Sequence, residues 1–531
     1  MNNYLRIGFL ISETKKLPEW ETEMIIAVKG IPGIRIAALI CVEPKRDYKK
    51  GLGLRAFQKF ENLWFRSTSD ASRKISIDTR FGEIPVIEAA NRDTLRELDL
   101  DIIYCTDGVQ RINEFENLAR YGVWYITFGS GQYTAAVPPG YWEVMHDCAE
   151  IASCLQVKRP DTPAITIYEG STTTVPYSVK NTYSHIAWKS ASYLPLRLNE
   201  FLKTGASSFF SREKYKEPDS APSKYTTPGT LTAIGLFIRN TFRYLRYKIT
   251  FLSRHKKFTI LYSEQAFRFE EFDLNRFIPL TLPGPGGSVR RQKNFFRADP
   301  FLIVKDQKAY IFFEEFHESI NKGHISVVML SKKGQHSEPI KILDRPYHIS
   351  YPFIFQYQDD YYMIPETSAN KTVELYKCRS FPHEWDFVEN LMTGIVLIDP
   401  TLLYYNKRWW LFGTRPEPSF TSTNDQLFLY SSETILSPRW DPHPQNPVVT
   451  NISNCRPAGC IFSRNGKFYR PAQNNASKQY GYAIKINEIE VLSETEYKEK
   501  EVFEILPDSK NLCALHTLNF TDDLIVIDGI V

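Results

Sequence analysis

The stretch "IDPTLLYYNKRWWLFGT", residues 398–414, decides the fold of half the chain. An apolar run, a polar turn at "YNKR" and a second apolar run make a β-hairpin signal. The same arrangement returns as "ADPFLIVKDQKAYIFFEE" (298–315), "SYPFIFQYQDDYYMIPET" (350–367), "CRPAGCIFSRNGKFYRPAQN" (455–474) and "ALHTLNFTDDLIVIDG" (514–529). Aligned on their leading residues, Asp299, Tyr351, Asp399, Arg456 and His516, the phrases fall at intervals of 52, 48, 57 and 60 residues. A period near fifty, written in short strands and polar turns, predicts the blades of a β-propeller. Third strands follow as "GHISVVML", "TVELYKC", "QLFLYSS" and "YGYAIKINEI". The fifth phrase has two strands only, and an unfinished blade leaves a bare edge. The strand "FTILYSE" at 258–264 is therefore expected to complete it, giving five blades over 258–531.

In a propeller the first strand of every blade lines the axis, so the five leading residues should ring one mouth. The phrase repeats because blades repeat, and the leading residue varies because these positions form a site. Second-strand ends add Glu314, Glu315, Glu366, Arg415, Arg470 and Gln473. Carboxylates and guanidinium groups facing one pocket are costly to bury without use. They suit polar recognition of a glycan, with acid/base chemistry by paired carboxylates as one reading. An internal salt-bridge network that holds the blades together is the other. The abundant aromatic residues of this half, Trp409, Trp410, Tyr361 and Tyr362 among them, are expected mostly in blade cores.

Residues 1–190 alternate short apolar strands ("LRIGFLI", "IRIAALICV", "DIIYCTD", "VWYITFG") with helical patterns, which predicts a mainly parallel, doubly wound α/β sheet of Rossmann type. Ligands of such sheets sit at the carboxyl ends of the strands. That places Ser12 and Glu13, Asp107 and Gly108, and Gly129, Ser130 and Gly131 of "FGSGQYT" as cofactor-site candidates, with a purely conformational role for the glycines as the alternative.

Residues 191–257 read as a linker, with "KEPDSAPSKYTTPGT" followed by a basic amphipathic helix. Leu236, Ile238, Phe242, Leu245 and Ile249 share one face, and Arg239, Arg243, Arg246, Lys248 and Arg254 supply charge. Such a helix suits an anionic membrane surface, or a place between two domains with its arginines snorkelling outward.

The net charge of +4, from 65 basic and 61 acidic residues, gives no global reason to expect nucleic acid. The eight cysteines lack a paired metal spacing and read as reduced thiols, so no metal site is expected from a linear motif, although an axial calcium would leave none. The start "MNNYLRIGFLIS" reads as a first strand rather than a signal peptide, and the chain is expected in the cytoplasm, membrane association being compatible with the basic helix.

Three resemblances sharpen these expectations. "RIGFLISE", "LPEWETEMI", "DIIYCTDG" and "GVWYITFGSGQY" resemble the N-terminal domain of formyltransferases of the methionyl-tRNA and sugar-nucleotide type, over residues 4–190. That family carries an Asn-x-His pair where this chain has Thr127 to Gly131. The resemblance implies a folate formyl donor in catalytic members, or a repurposed nucleotide-sugar pocket; Asp161 of "RPDTPAI" matches the family's later Asp. The "DP" of blades one and three resembles the five-bladed arabinanase and xylosidase hydrolases. That resemblance implies Asp299 as general base and Asp399 as the acid that tunes it; the family's blade-four acid is replaced by "CRPAG", leaving Glu366 or Glu315 as substitutes. Finally "FRADPFLI", "FPHEWDF", "IDPTLLYYNKRWWLFGT", "WDPHPQNPV" and "CRPAGCIFSRNGKFYRPAQN" resemble the propeller domain of glucosamine inositolphosphorylceramide transferases. This implies association with sugar transfer to a glycolipid or surface glycan.

The expectation is a two-domain protein, formyltransferase-like α/β followed by a five-bladed propeller, acting on a glycan or glycolipid. Asp299, Asp399, Glu366, Glu315 and His516 are its candidate catalytic groups, and Tyr351, Arg456, Arg470, Gln473 and Arg415 its candidate substrate contacts. A noncatalytic glycan-binding propeller, an amino-sugar formyltransferase and a glycoside hydrolase are the competing readings.

Overall fold

The structure is a computed structural model. It describes residues 4–11, 16–42, 52–65, 70–76, 81, 84–106, 109–129, 137–211, 228–253, 257–283, 295–331, 335–417, 421–437, 439–476, 480–507 and 512–530. The chain divides into two units, the first running to Thr250 and the second carrying nearly all that follows.

The first unit is built on a seven-stranded sheet in the order Val86–Glu88, Ile34–Cys41, Leu5–Ile11, Ile102–Cys105, Val123–Phe128, Glu150–Lys158, Ile165–Thr173. The first four pairings are parallel and the last two antiparallel, so the sheet is mixed. Alternation along the central strand explains its place. Ile7, Phe9 and Ile11 enter one core with Trp20, Met24, Trp188 and Leu194, whereas Leu10 enters another with Ile40, Ile103, Leu95 and Phe115. Both faces are thereby covered. The order of the parallel strands reverses between Leu5–Ile11 and Ile102–Cys105, which is where sheets of this type open a crevice. The helix Tyr193–Phe210, which the sequence expectation places in the linker, buries Tyr193, Leu194, Leu198, Phe201 and Phe209 in the first core.

The second unit consists of five four-stranded antiparallel sheets, the blades of a β-propeller. Blade one begins with Phe295–Lys305, blade two with Ser350–Tyr357, blade three with Ile398–Tyr405, blade four with Phe462–Arg464 and blade five with Ala514–Phe520. Two-residue turns hold the hairpins in register. Asp306 and Gln307, Asn406 and Lys407, and Asn465 and Gly466 all have positive φ, the type I′ geometry that matches strand twist. Each of the first four blades gains a fourth strand that the sequence reading does not identify: Ile340–Leu343, Glu384–Thr393, Asp441–Pro442 and Tyr497–Ile505.

Blade five is closed by earlier sequence. Phe258–Ser263 pairs antiparallel with Ile525–Ile530, and Ile278–Pro279 adds the outer strand. Ile260, Leu261 and Tyr262 are buried in that seam, each contributing about 1.5–3 kcal/mol of apolar burial. First strands of neighbouring blades touch, blade one against both blade two and blade five. All eight cysteines are free thiols.

Candidate axial site

Asp299, Tyr351 and Asp399 all lie in the left-handed region, with φ of 54°, 43° and 51°. Each sits where the pairing of its first and second strands slips: between Ala298 and Phe301, Ser350 and Phe353, and Ile398 and Thr401. These are β-bulges, which turn a side chain off the blade at a cost of about 1–3 kcal/mol for such a non-glycine residue. A bulge also releases a backbone N–H from its ladder, and here buried carboxylates accept it. The Asp299 amide donates to Asp528 Oδ2 (2.9 Å), that of Tyr351 to Asp299 Oδ2 (3.1 Å) and that of Asp399 to Glu366 Oε2 (3.3 Å). Blade five repeats the slip between Leu515 and Leu518, with the Thr517 amide donating to Asp528 Oδ1 (2.7 Å). In the first three of these bonds the acceptor belongs to the blade before the donor, so those carboxylates link consecutive blades, whereas the Thr517 bond stays within blade five.

Two charge pairs add to these links, one across the seam between blades three and four and one across that between blades five and one. Arg456 reaches Asp399 through Nε to Oδ2 (2.6 Å) and Nη2 to Oδ1 (3.3 Å), while its Nη1 donates to Asn424 Oδ1 (2.8 Å). Gln473 Nε2 adds a third bond to Asp399 Oδ2 (3.1 Å). His516 Nδ1 stands 3.0 Å from Asp299 Oδ1 and 3.4 Å from Asp528 Oδ2. Its Nε2 meets the Tyr480 hydroxyl at 2.6 Å.

Proton affinities diverge within this cluster. Burial disfavours the charged imidazole of His516, but Tyr480, Asp528 and Asp299 outweigh it and hold the group well above its usual value. Burial likewise works against the Asp299 carboxylate, and His516 and Arg456 overcome it, leaving Asp299 below the usual range. Glu314 goes the other way: burial, then the charges of Asp299 and Glu366, push it well above the usual carboxylate value. Burial also raises Asp399, against the pull of Arg456. Proton affinity is thus lowered at Asp299 and raised at His516 and Glu314, a divergence of the kind that acid/base pairs use.

The sequence candidates divide accordingly. Asp299, Asp399, Glu366, His516, Tyr351, Arg456 and Gln473 come together. Tyr351 points inward, its hydroxyl 3.0 Å from Thr401 Oγ1 and accepting from the Gly459 amide at 2.8 Å, so it ties blades two, three and four rather than facing solvent. Glu315 is displaced by strand alternation. Its neighbour Glu314 takes the axial side, and Glu315 pairs with Arg297 (2.9 Å) on the opposite face of blade one. Arg470 is also elsewhere: fully buried in blade four, it binds Glu499 through Nε (2.8 Å) and Nη2 (2.6 Å) and the Asn454 carbonyl. Arg415 meets the Tyr430 hydroxyl at 3.2 Å and lies over Phe428.

Sequence reasoning misses Asp528 and Tyr480. Asp528 is a lone charge inside the apolar run "IVIDGI", an anomaly in an otherwise buried strand and the available signal. Tyr480 carries Arg456 over its ring (5.0 Å) and keeps 40% of its surface exposed, the aromatic face at the mouth. Asp299, His516 and Asp528 offer ligand atoms within 4.8 Å of one another and could hold a cation, as could Glu315, His317 and His324 outside the axis. In the α/β unit, Ser12, Glu13, Asp107, Gly108, Ser130 and Gly131 lie outside the described residues. Gly129 has φ of 81° and donates its amide to the Ala152 carbonyl (2.8 Å), a conformational use.

Residues 288–516 match the family described as glucosamine inositolphosphorylceramide transferase 1, N-terminal. That span contains all five leading residues. Similar curated proteins are the glucosamine inositolphosphorylceramide transferases 1 of Oryza sativa subsp. japonica, 37% identical over 210 residues covering 39% of this chain and 28% of that protein, and of Arabidopsis thaliana, 34% identical over 210 residues covering 39% and 27%. The matched stretch therefore spans little more than a quarter of those relatives. The formyltransferase resemblance of the first unit is not supported by these matches. Among solved structures, a family 117 glycoside hydrolase of Zobellia galactanivorans aligns over 52% of this chain and 90% of its own, at 13% identity and a TM-score of 0.33. The catalytic domain of a Coprinopsis cinerea α-L-arabinofuranosidase aligns over 51% and 97%, at 10% identity and a TM-score of 0.36. Scores this low carry no argument about chemistry.

Proposed function

We propose that the axial mouth of the propeller binds the polar sugar head group of a glycolipid or surface glycan, and that the protein takes part in transferring a sugar to or from it. The observation that carries this reading is the convergence of buried ionisable side chains from different blades, His516 Nδ1 3.0 Å from Asp299 Oδ1 and Arg456 Nε 2.6 Å from Asp399 Oδ2, in a field that lowers Asp299 and raises Glu314 and His516. A propeller needing only a rigid axis gains nothing from burying a carboxyl whose ionised form its neighbours disfavour. The similarity of residues 288–516 to proteins named for glucosamine and inositolphosphorylceramide supports an amino sugar and a phosphoinositol head group as the ligand class. In this reading Asp299 accepts the proton of the reacting hydroxyl, Glu314 donates one to the leaving oxygen, Tyr480 offers an aromatic face to a sugar ring and Arg456 faces an anionic substituent.

A noncatalytic, glycan-binding propeller is the second reading. It is favoured by the structural partners that Asp299, Glu366 and Asp528 already have in the bulge amides. The strand order of the first unit supports a nucleotide or nucleotide sugar there by analogy of fold.

The test is a binding screen of the full chain against inositol phosphates, glucosamine glycosides and nucleotide sugars. Saturable binding that Tyr480→Ala weakens at least ~10-fold fits an aromatic–sugar contact with its surrounding hydrogen bonds. A chain that binds none of the three classes sinks the proposal. Loss of turnover with retained binding in Glu314→Gln separates the catalytic from the noncatalytic reading.

A further inference from the structure

The helix Thr230–Ser253 has two apolar faces, and among the described residues only one of them is packed. Its inner face is fixed to the first unit. Ala233 and Asn240 are buried, Asn240 Nδ2 donates to the Tyr177 carbonyl (3.0 Å), and Phe237 packs edge-on against Phe60 (4.7 Å) and Phe57 (5.9 Å). Leu236, expected beside Ile238 and Phe242, belongs to this inner cluster. Arg243 clamps the same side through Nη1 to the Val144 carbonyl (2.9 Å), and Arg239 reaches the Met145 carbonyl.

The opposite face carries Leu231, Ile234, Ile238, Phe242, Leu245 and Ile249, all exposed, Leu231 by 86%, Phe242 by 68% and Ile249 by 66%. Their spacing of three and four residues keeps them within a stripe about 80° wide and roughly 27 Å long. Single exposed apolar side chains are ordinary, but a continuous stripe of six is not. The stripe is also edged by charge of one sign. Arg246 lies about 80° to one side of its centre and Lys248 about 80° to the other, both exposed, and the helix contains no acidic residue. Apolar centre, cationic margins and absent acids match the boundary of an anionic bilayer, where apolar side chains enter the acyl region and long cationic ones reach back to head groups. No described helix is long and apolar enough to cross a membrane. The supporting helix Leu52–Trp64 ends with Leu63 and Trp64 exposed as well, and Trp suits the same boundary.

We propose that this stripe seats the protein on an anionic lipid surface. The inference stands on the helix alone and does not depend on the sugar chemistry of the propeller.

The test is co-sedimentation of the full chain with phosphatidylcholine vesicles, with and without phosphatidylserine, alongside light scattering of the free protein. Binding to the anionic vesicles should exceed binding to the neutral ones at least ~10-fold and weaken with salt. The double variant Ile238→Glu, Phe242→Glu, altered only on the outward face, should lose at least ~10-fold of that binding while keeping its circular dichroism and melting point. Arg246→Glu with Lys248→Glu should lose the preference for phosphatidylserine. Equal binding to both vesicle types, or undiminished binding by the Glu variants, overturns the proposal. So does a chain that dimerises through the stripe, seen as a dimer made monomeric by Phe242→Glu with no vesicle binding in either form.

Discussion

Replacing Asp299 with Asn removes one charge from the axis while conserving shape. In the folded protein Asp299 Oδ2 accepts the Tyr351 amide (3.1 Å), and Oδ1 faces His516 Nδ1 (3.0 Å). An Asn oxygen can keep the first bond, so the bulge of blade two is retained. The second contact loses its ionic character, which for a hydrogen bond between charged groups is about 1.5–3 kcal/mol. Removing one partner of a fully buried pair costs about 3–5 kcal/mol, because the other charge is stranded. Here Asp528 Oδ2 remains 3.4 Å from the imidazole, so the lower range applies and about 2–3 kcal/mol is expected. For a unit of this size that is a fall of roughly 3–6 °C in its melting transition. The assay is differential scanning calorimetry at neutral pH, paired with NMR titration of the His516 ring, whose pKa should fall. An unchanged melting transition together with an unchanged His516 titration would refute the claim that this pair closes blade five onto blade one.

The same pair fixes a pH window. His516 is raised above its ordinary value of 6.5, so its stabilisation is complete below that and is lost as pH rises through the raised value. Asp299 is depressed, so its share is present above 3.8 and lost as pH falls through the lower value. Melting curves across pH should show the difference between wild type and His516→Gln shrinking at alkaline pH; a constant difference contradicts the assignment. Glu314→Gln exchanges one neutral group for another and should change stability by less than about 1 kcal/mol, readable as an unmoved calorimetric transition, whereas an ionised Glu314 would make it costly. Arg470→Met strands buried Glu499 and should cost about 3–5 kcal/mol without altering ligand affinity in the folded fraction; pairing it with Glu499→Leu should recover most of that, as measured by calorimetry of the double variant.

The propeller was legible because its period is written in hairpins whose turns have a strict chemistry, as Asn465-Gly466 and Asn406-Lys407 illustrate. The leading residues were legible for the same reason, since the first strand of a blade can only line the axis. Glu314 and Glu315 were harder: a bulge shifts the alternation by one, so the axial member of an adjacent pair depends on where the ladder slips, between Ala298 and Phe301. Arg470 is indistinguishable in sequence from an axial arginine until its partner Glu499, on the outer strand of its own blade, is in place. The helix Tyr193–Phe210 follows a region without strand alternation and reads as linker, yet its aromatic residues complete the core of the first unit. The expected face of the basic helix was wrong at Leu236, which stands about 200° round the helix from Ile238 and packs with Phe57 on the inner side.

The axial claim is tested most directly by following the His516 imidazole in NMR spectra while the full chain is titrated with a soluble phosphoinositol glycoside. The account predicts a saturable shift of that resonance, absent in Tyr480→Ala, because the ring stands 2.6 Å from the tyrosine at the mouth. Saturable binding that leaves the His516 resonance unmoved would place the sugar elsewhere and contradict it.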